Sequence, residues 1–141
     1  MKRILITVLP VAVLTGCPGY RDEVPGVETG EILLRQGQVC MTVLPKGDEK
    51  LAAISVYRQD KPDETRLFFF NPPESIRAGQ CVPTNGYTFT ADVTYRFSAK
   101  LISPQREQTG KWPFSREFSV EFKLKENQGQ QVMQIINETP L

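Results

Sequence analysis

The side chains of this sequence that are most suited to covalent chemistry are three cysteines, Cys17, Cys40 and Cys81. Histidine is absent from all 141 residues. Ser-His-Asp and Cys-His catalysis and histidine-based metal sites are therefore excluded. Neither a Gly-rich phosphate loop nor a Gly-x-Ser-x-Gly motif occurs. We predict that the protein is not an enzyme and that it uses no cofactor and no metal ion.

Cys17 follows a stretch with the layout of a bacterial secretory signal. Two basic residues open the stretch, residues 4–14 are apolar, and small residues precede the cysteine. The apolar run has about half of the roughly 20 residues that a spanning helix needs, and Pro10 interrupts it. Residues 1–16 are therefore predicted to be a cleaved signal peptide rather than a membrane span.

The residues Leu14-Thr15-Gly16-Cys17 match a lipobox, so the sequence resembles a bacterial lipoprotein precursor. An ordinary secretory signal is the alternative. The resemblance implies that the chain is cut before Cys17, which then carries diacylglycerol and an acylated amino terminus. Because each buried methylene contributes about 0.8 kcal/mol, such an anchor is effectively permanent. Pro18, in place of the Asp that signals inner-membrane retention, favours a periplasmic protein at the outer membrane.

The rest of the chain is divided into a short tether and one domain. Residues 17–30 contain Pro, Gly and charge without a period and are predicted to be a lipidated tether. Residues 31–141 are long enough for one domain with its own core. Of the 17 Lys and Arg residues two lie in the signal, which leaves 15 against 16 Asp and Glu. The sequence contains no basic block that would indicate a nucleic-acid partner and no polybasic patch that would indicate binding to lipid headgroups.

Cys40 and Cys81 remain once Cys17 is acylated, and they can pair in only one way. An oxidising periplasm favours a Cys40–Cys81 disulfide, which would stabilise the fold by about 4 kcal/mol in the chain-entropy model. The alternative is two separate buried thiols. A redox role is less favoured because the cysteines do not form a Cys-x-x-Cys motif.

Acidic and aromatic residues supply the remaining candidate sites. The acids fall in polar segments and are expected to be solvated loop residues, too sparse for a calcium site: Asp48, Glu49, Asp60, Asp63, Glu64 and Glu74. Trp112 is either an interface anchor or a cap on the end of a core. Tyr57 falls on the strand face opposite Ile54 and Val56, and the same two interpretations apply to it.

The elements that must position these residues are predicted to be short β-strands. The strands are expected at residues 32–34, 39–44, 51–58, 66–70, 87–101, 114–124 and 132–136, the last as an edge. Ala52, Ile54 and Val56 should share a buried face, and residues 66–70 are too apolar for a fully solvated face. Arg116 breaks an apolar face and indicates a strand end or a bulge. No helix is predicted, and residues 103–110 are expected to form a loop.

Residues 87–101 alternate with a period of two over a length that is unusual for one strand. We predict two strands with a corner near Ala91-Asp92. Tyr95 then resembles the tyrosine corner of immunoglobulin-like and fibronectin type III sandwiches, whose hydroxyl bonds to upstream backbone. An ordinary strand with a core tyrosine is the alternative. The predicted fold is an all-β, antiparallel immunoglobulin-like or fibronectin III-like β-sandwich of about seven strands, with a small barrel as the alternative.

Short motifs between the signal and Tyr95 resemble the small type VI secretion immunity lipoproteins of the enterobacterial periplasm. They are Leu14-Thr15-Gly16-Cys17-Pro18-Gly19, Val39-Cys40, Ile54-Ser55-Val56-Tyr57, Gly79-Gln80-Cys81-Val82-Pro83-Thr84 and Gly86-Tyr87. The resemblance implies a tethered binding protein that neutralises a secreted toxin by occlusion, and it assigns no binding residue. The alternatives are a structural lipoprotein of an envelope or secretion assembly, and an enzyme or ligand carrier with a polar cavity.

Overall fold

The structure is a computed structural model that describes residues 26–136, and it contains eight β-strands within them. Cys17, its acylation and the predicted signal lie outside the described residues. The strands are β1 Val27–Thr29, β2 Glu31–Arg35, β3 Gln38–Thr42, β4 Lys50–Arg58, β5 Arg66–Glu74, β6 Thr94–Ile102, β7 Ser115–Asn127 and β8 Gln130–Ile135. A 3₁₀ turn spans Pro62–Glu64, and the helix α1 spans Pro104–Gln108. Over residues 26–136, no helix combines the length and apolar character that crossing a membrane requires.

Six strands form one sheet, and the hairpin of β2 and β3 forms a second. The large sheet has the order β1-β7-β6-β4-β5. β8 pairs with β7 farther along the edge that β1 also uses, which confirms the prediction of a last edge strand. The pairing of β1 with β7 is parallel, and the other strand pairs are antiparallel.

The two sheets enclose one core, which confirms the all-β sandwich. Ile32 and Met41 of the hairpin belong to the same buried cluster as Val56 and Phe97 of the large sheet. In immunoglobulin notation, β4, β6 and β7 occupy the positions of strands C, F and G, with β5 as C′. The sandwich has eight strands instead of about seven, divided unequally between a sheet of six and a hairpin of two.

Period-two patterning explains why β6 and β7 form the centre of the core. Tyr95, Phe97, Ala99 and Leu101 of β6 are each 0% exposed. The inward side chains of β7 alternate in the same way, and Arg116 lies at the beginning of that strand. The expected strand end at Arg116 is therefore confirmed. Burying one large apolar side chain contributes roughly 1.5 to 3 kcal/mol, so these two strands supply much of the core's stabilisation.

The segment 87–101 contains one strand, so the prediction of two was wrong. Residues 87–93 leave the sheet, and β6 begins at Thr94. The rings of Tyr87 and Phe89 pack edge-on against Tyr95. These two residues therefore continue the apolar alternation of β6 in the sequence although they pair with no strand. The corner itself is present: Asp92 has φ +62°, and the Tyr95 hydroxyl accepts the Thr90 N–H at 2.8 Å.

The face assignment within β4 needs a correction. A register shift between Leu51 and Ala53 affects the pairing of β4 with both β5 and β6. Ala52 lies at this irregularity and is only half-buried. Leu51 therefore takes the expected place of Ala52 in the core beside Ile54 and Val56.

The expected loop at residues 103–110 and the expected start of the domain at residue 31 both differ from the structure. The expected loop 103–110 contains α1, in which the Ser103 side chain caps the helix by accepting the Arg106 N–H at 3.2 Å. Pro104 fits the first helical position because that position needs no backbone N–H donor. The domain also begins earlier than residue 31, since Val27–Thr29, within the predicted tether, pair with β7.

Candidate protein-binding face

The large sheet has a second face, which turns away from the core and which we call the outer face. Side chains alternate between the two faces along each strand. One row of cross-strand partners on the outer face consists of Leu67, Ser55, Ser98 and Ser119. The next row consists of Phe69, Ala53, Lys100 and Glu117. Each row therefore begins with a large apolar residue of β5 and continues over smaller or charged residues.

The two apolar residues of β5 on this face are strongly exposed. Leu67 is 55% exposed and Phe69 is 74% exposed. The expectation that residues 66–70 have no fully solvated face is therefore wrong. Phe68 and Phe70, which alternate with them, pack against the core. Neighbouring exposed apolar side chains on a structured strand are typical of an interaction surface.

Small side chains form the floor beside Leu67 and Phe69. Ser98 is 8% exposed, and its hydroxyl is hydrogen-bonded to that of Ser119 at 3.0 Å. The resulting depression has a volume of about 230 Å³. Its lining combines apolar, hydroxyl and charged groups: Ala53, Ile54, Ser55, Leu67, Phe69, Ser98, Lys100 and Glu117. The depression is shallow and suits a protruding side chain of a partner.

β5 also forms one edge of the sheet. Within residues 26–136 it pairs with β4 alone, so its other side presents backbone groups to solvent. Pro72 and Pro73 interrupt regular pairing beyond Phe69, where the register moves from Ala53–Phe69 to Leu51–Glu74. Because proline donates no backbone hydrogen bond, the regular part of the edge is limited to residues before Pro72.

Charged residues border the outer face at the end opposite Lys100 and Glu117. Arg96 of β6 forms an ion pair with Glu121 of β7. The Arg96 guanidinium carbon also lies 5.6 Å from the centre of the Tyr57 ring. Tyr57 therefore projects from the face opposite Ile54 and Val56, as predicted, and Arg96 partly covers it. Charged residues therefore border the apolar part of the outer face at both ends, and polar residues commonly border the apolar part of a protein interface.

A second polar region lies at the end of the sandwich between residues 43–49 and 103–114, and we call it the end cleft. It has a volume of about 480 Å³. Arg116 Nε donates to Glu49 Oε2 at 2.8 Å, and Nη2 donates to Oε1 at 2.6 Å. The Arg116 Nη1 group also donates to Glu28 Oε1 at 2.9 Å. The Glu49 side chain is only 8% exposed, so this ion pair is largely removed from water.

The local contacts explain the acidity of Glu49 and Asp48. Burial alone would raise the pKa of Glu49, but hydrogen bonds from Arg116 and the Lys46 N–H lower it below its ordinary value. Hydrogen bonds from the Ser103 hydroxyl and the Gln105 N–H lower the pKa of Asp48. The expectation that both acids are merely solvated is wrong: they tie residues 43–49 to β7 and to the start of α1.

The other predicted acids take ordinary surface positions. Asp60 pairs with Arg58, and Glu64 lies 3.7 Å from the same guanidinium group. Asp63 is exposed, as expected, whereas Glu74 is exposed but belongs to β5 instead of a loop. In the described part of the chain, Cys, Asp and Glu form no group of three or more that could hold a metal ion.

The structure contains the predicted Cys40–Cys81 disulfide. This bond joins β3 to the segment before the tyrosine corner, where the Val82 N–H donates to the Met41 carbonyl at 2.7 Å. Trp112 is 37% exposed and packs edge-on against Phe114, with ring centres 4.8 Å apart. It therefore covers part of the end of the core and also presents surface to solvent.

Comparison with known proteins gives one family. The model of a domain of unknown function (DUF7480) matches residues 27–127, which run from the first residue of β1 to the last residue of β7. No curated protein and no solved structure matches the chain.

Proposed function

Because the chain belongs to the DUF7480 family, whose description names no activity, we propose a function from its geometry and motifs. The protein is a binding protein that receives a protein partner on the outer face. It is held in the periplasm, at the outer membrane, by acylated Cys17. The partner is a type VI secretion toxin that the protein neutralises by occlusion. The anchor at Cys17 and the toxin partner are proposed from the sequence motifs. The binding face is proposed from the observed surface.

The observation that carries the proposal is the pair Leu67 and Phe69. Both side chains are more than half exposed and lie side by side on a regular strand. Their burial by a partner would contribute roughly 1.5 to 3 kcal/mol each. This gain corresponds to a factor of about 10 to 150 in affinity per side chain. The small floor residues leave room for the partner to approach the sheet closely.

The arrangement favours occlusion because the outer face is rigid and broad. Its floor residues stand on the central strands β4, β6 and β7, and the neighbours of Leu67 and Phe69 on the edge strand β5, Phe68 and Phe70, pack against the core. Binding a preformed surface costs little conformational entropy, so a larger share of the contact energy appears as affinity. The surface of a toxin that is bound to the sheet would be inaccessible to the toxin's own target.

The test compares protection by two matched lysine variants. Phe69→Lys places a charge at the most exposed apolar position of the outer face, and Val132→Lys places one at an apolar position of β8 that is 47% exposed. Both sites are exposed, so each variant should fold with little change in stability. Cells producing each variant are mixed with a sister strain that delivers type VI effectors, and survivors are counted.

We expect the wild type and Val132→Lys to protect the cells and Phe69→Lys to lose protection. Full protection by Phe69→Lys would exclude the outer face as the binding surface. Absence of protection by the wild-type protein against every delivered effector would exclude the immunity function.

A further inference from the structure

The described chain enters the domain at the end that carries the end cleft. β1 runs parallel to β7, and Val27 pairs with Glu117, two residues after β7 begins. The Glu117 N–H donates to the Gly26 carbonyl at 3.3 Å. Three other strand ends meet at this same end of the sandwich. Ile102, at the end of β6, pairs with Lys50 at the start of β4 and with Ser115 at the start of β7.

The length of chain before Gly26 limits how far this end can be from an anchor at Cys17. Eight residues lie between Cys17 and Gly26, so nine Cα–Cα steps join them. Even fully extended they span at most about 30 Å. If Cys17 is acylated, the end with the cleft therefore lies within about 30 Å of the bilayer.

The side chains at this end have the composition of a membrane-contacting surface. Lys46, Arg106 and Lys111 are exposed and line the end cleft. Leu44 is 67% exposed and Trp112 is 37% exposed at the same end. Tryptophan and basic side chains with apolar stems are the residues that favour the water–lipid interface.

The cations that line the cleft outnumber its carboxylates, with Lys46, Arg106, Lys111 and Arg116 against Asp48 and Glu49. Glu49 is paired with Arg116, whereas Asp48 accepts hydrogen bonds from the neutral donors Ser103 and Gln105 and keeps its charge. Glu28 also pairs with Arg116, on the side of β1. Glu107 of α1 is exposed, but it is not among the residues that line the cleft.

We propose that this end of the domain contacts an anionic phospholipid surface. Headgroup phosphates lie against Lys46, Arg106 and Lys111, while Trp112 and Leu44 enter the interface. The proposal rests on the acylated Cys17 of the proposed function. This contact directs the long strands of the large sheet away from the bilayer into the periplasm. The outer face then remains open to a partner.

Trp112 is the only tryptophan of the chain, so its fluorescence reports on this end alone. The acylated full chain is reconstituted into vesicles of phosphatidylethanolamine and phosphatidylglycerol that carry brominated acyl chains as a quencher. The test variant is Lys46→Gln/Arg106→Gln/Lys111→Gln. The matched control, Lys61→Gln/Lys123→Gln/Lys125→Gln, removes three charges from the opposite half of the domain.

We expect a blue shift and quenching of Trp112 emission in the wild type and the control. In the test variant both effects should be lost although the acyl chains keep the protein on the vesicles. In a parallel assay, the Cys17→Ser chain should partition onto phosphatidylglycerol vesicles, and the three test substitutions should weaken this partition on the order of 100-fold, about fivefold per basic residue.

The outcomes separate this inference from the anchor itself. If mass spectrometry finds no lipid on Cys17, the proposed anchor is wrong, and the Cys17→Ser partition still decides whether the surface binds headgroups. If the anchored wild type shows equal Trp112 emission with and without phosphatidylglycerol, and the Cys17→Ser chain does not partition, the inference is overturned. An equal loss in the control and the test variant would also overturn it.

Discussion

The ion pair between Arg116 and Glu49 allows the sharpest stability prediction. Arg116→Met keeps an apolar stem over the Phe118 ring, which lies 5.0 Å from the guanidinium carbon, and removes the charge. Glu49, with 8% of its side chain exposed, is then left as a nearly buried carboxylate without its cation. Breaking a buried pair in this way costs about 3 kcal/mol. The Lys46 N–H still donates to Glu49, so we expect no larger value.

The pH dependence of this loss has a definite sign. In the wild type the pKa of Glu49 lies below its ordinary value near 4.5. Its ionisation therefore stabilises the fold above that pH, and the contribution is lost as the pH falls through the folded-state pKa. In Arg116→Met burial is no longer opposed by the cation, so the pKa of Glu49 should rise. Protonation then relieves the buried charge, and the variant should lose less relative to wild type at pH 4 than at pH 7.

The measurement is urea unfolding followed by far-ultraviolet circular dichroism at the two pH values. The matched control is Arg96→Met, which breaks an ion pair between β6 and Glu121 of β7, with the Arg96 side chain 53% exposed. An exposed pair contributes about 1 kcal/mol or less. The reasoning is refuted if Arg116→Met costs no more than Arg96→Met at pH 7, or if its cost is larger at pH 4.

Three other predictions concern the fold around the site. Reduction of Cys40–Cys81, which spans 41 residues, should lower the free energy of unfolding by about 4 kcal/mol; equal urea midpoints with and without reductant would contradict it. Tyr95→Phe should cost about 1 to 2 kcal/mol in the same assay because the Thr90 N–H loses its acceptor, and an unchanged midpoint would argue against a structural tyrosine corner. Asp48→Asn should speed hydrogen exchange of the Gln105 N–H, which donates to the Asp48 carboxylate in the first turn of α1. Unchanged protection of this amide would show that the hydrogen bond is dispensable.

The sheet and its core were predictable from local patterning. The alternation around Tyr95 and Phe97 identifies a strand with one buried face, and the spacing from Phe89 to Tyr95 identifies the corner. These features depend on neighbours within a few residues. The irregularity at Ala52 was not predictable because Ala52 and Ala53 are identical in type, and only pairing with other strands decides where the alternation of β4 shifts.

The candidate site depends on contacts that are remote in the sequence. Glu49 and Arg116 are 67 residues apart, so nothing beside Glu49 indicates that it will be buried and paired. For Phe69 the sequence showed an apolar run but not which of its faces would meet the core. Exposure of Phe69 follows from the edge position of β5, which is a property of the assembled sheet.

The central claim is that a delivered type VI effector binds on the outer face, and site-specific photo-crosslinking tests it most directly. A photoreactive phenylalanine analogue is placed at position 69 or, as a control, at position 132 of the anchored full chain in cells that receive type VI effectors. We predict a crosslink to a delivered effector from position 69 and none from position 132. A crosslink from position 132 alone, or only envelope proteins captured at position 69, would contradict the claim.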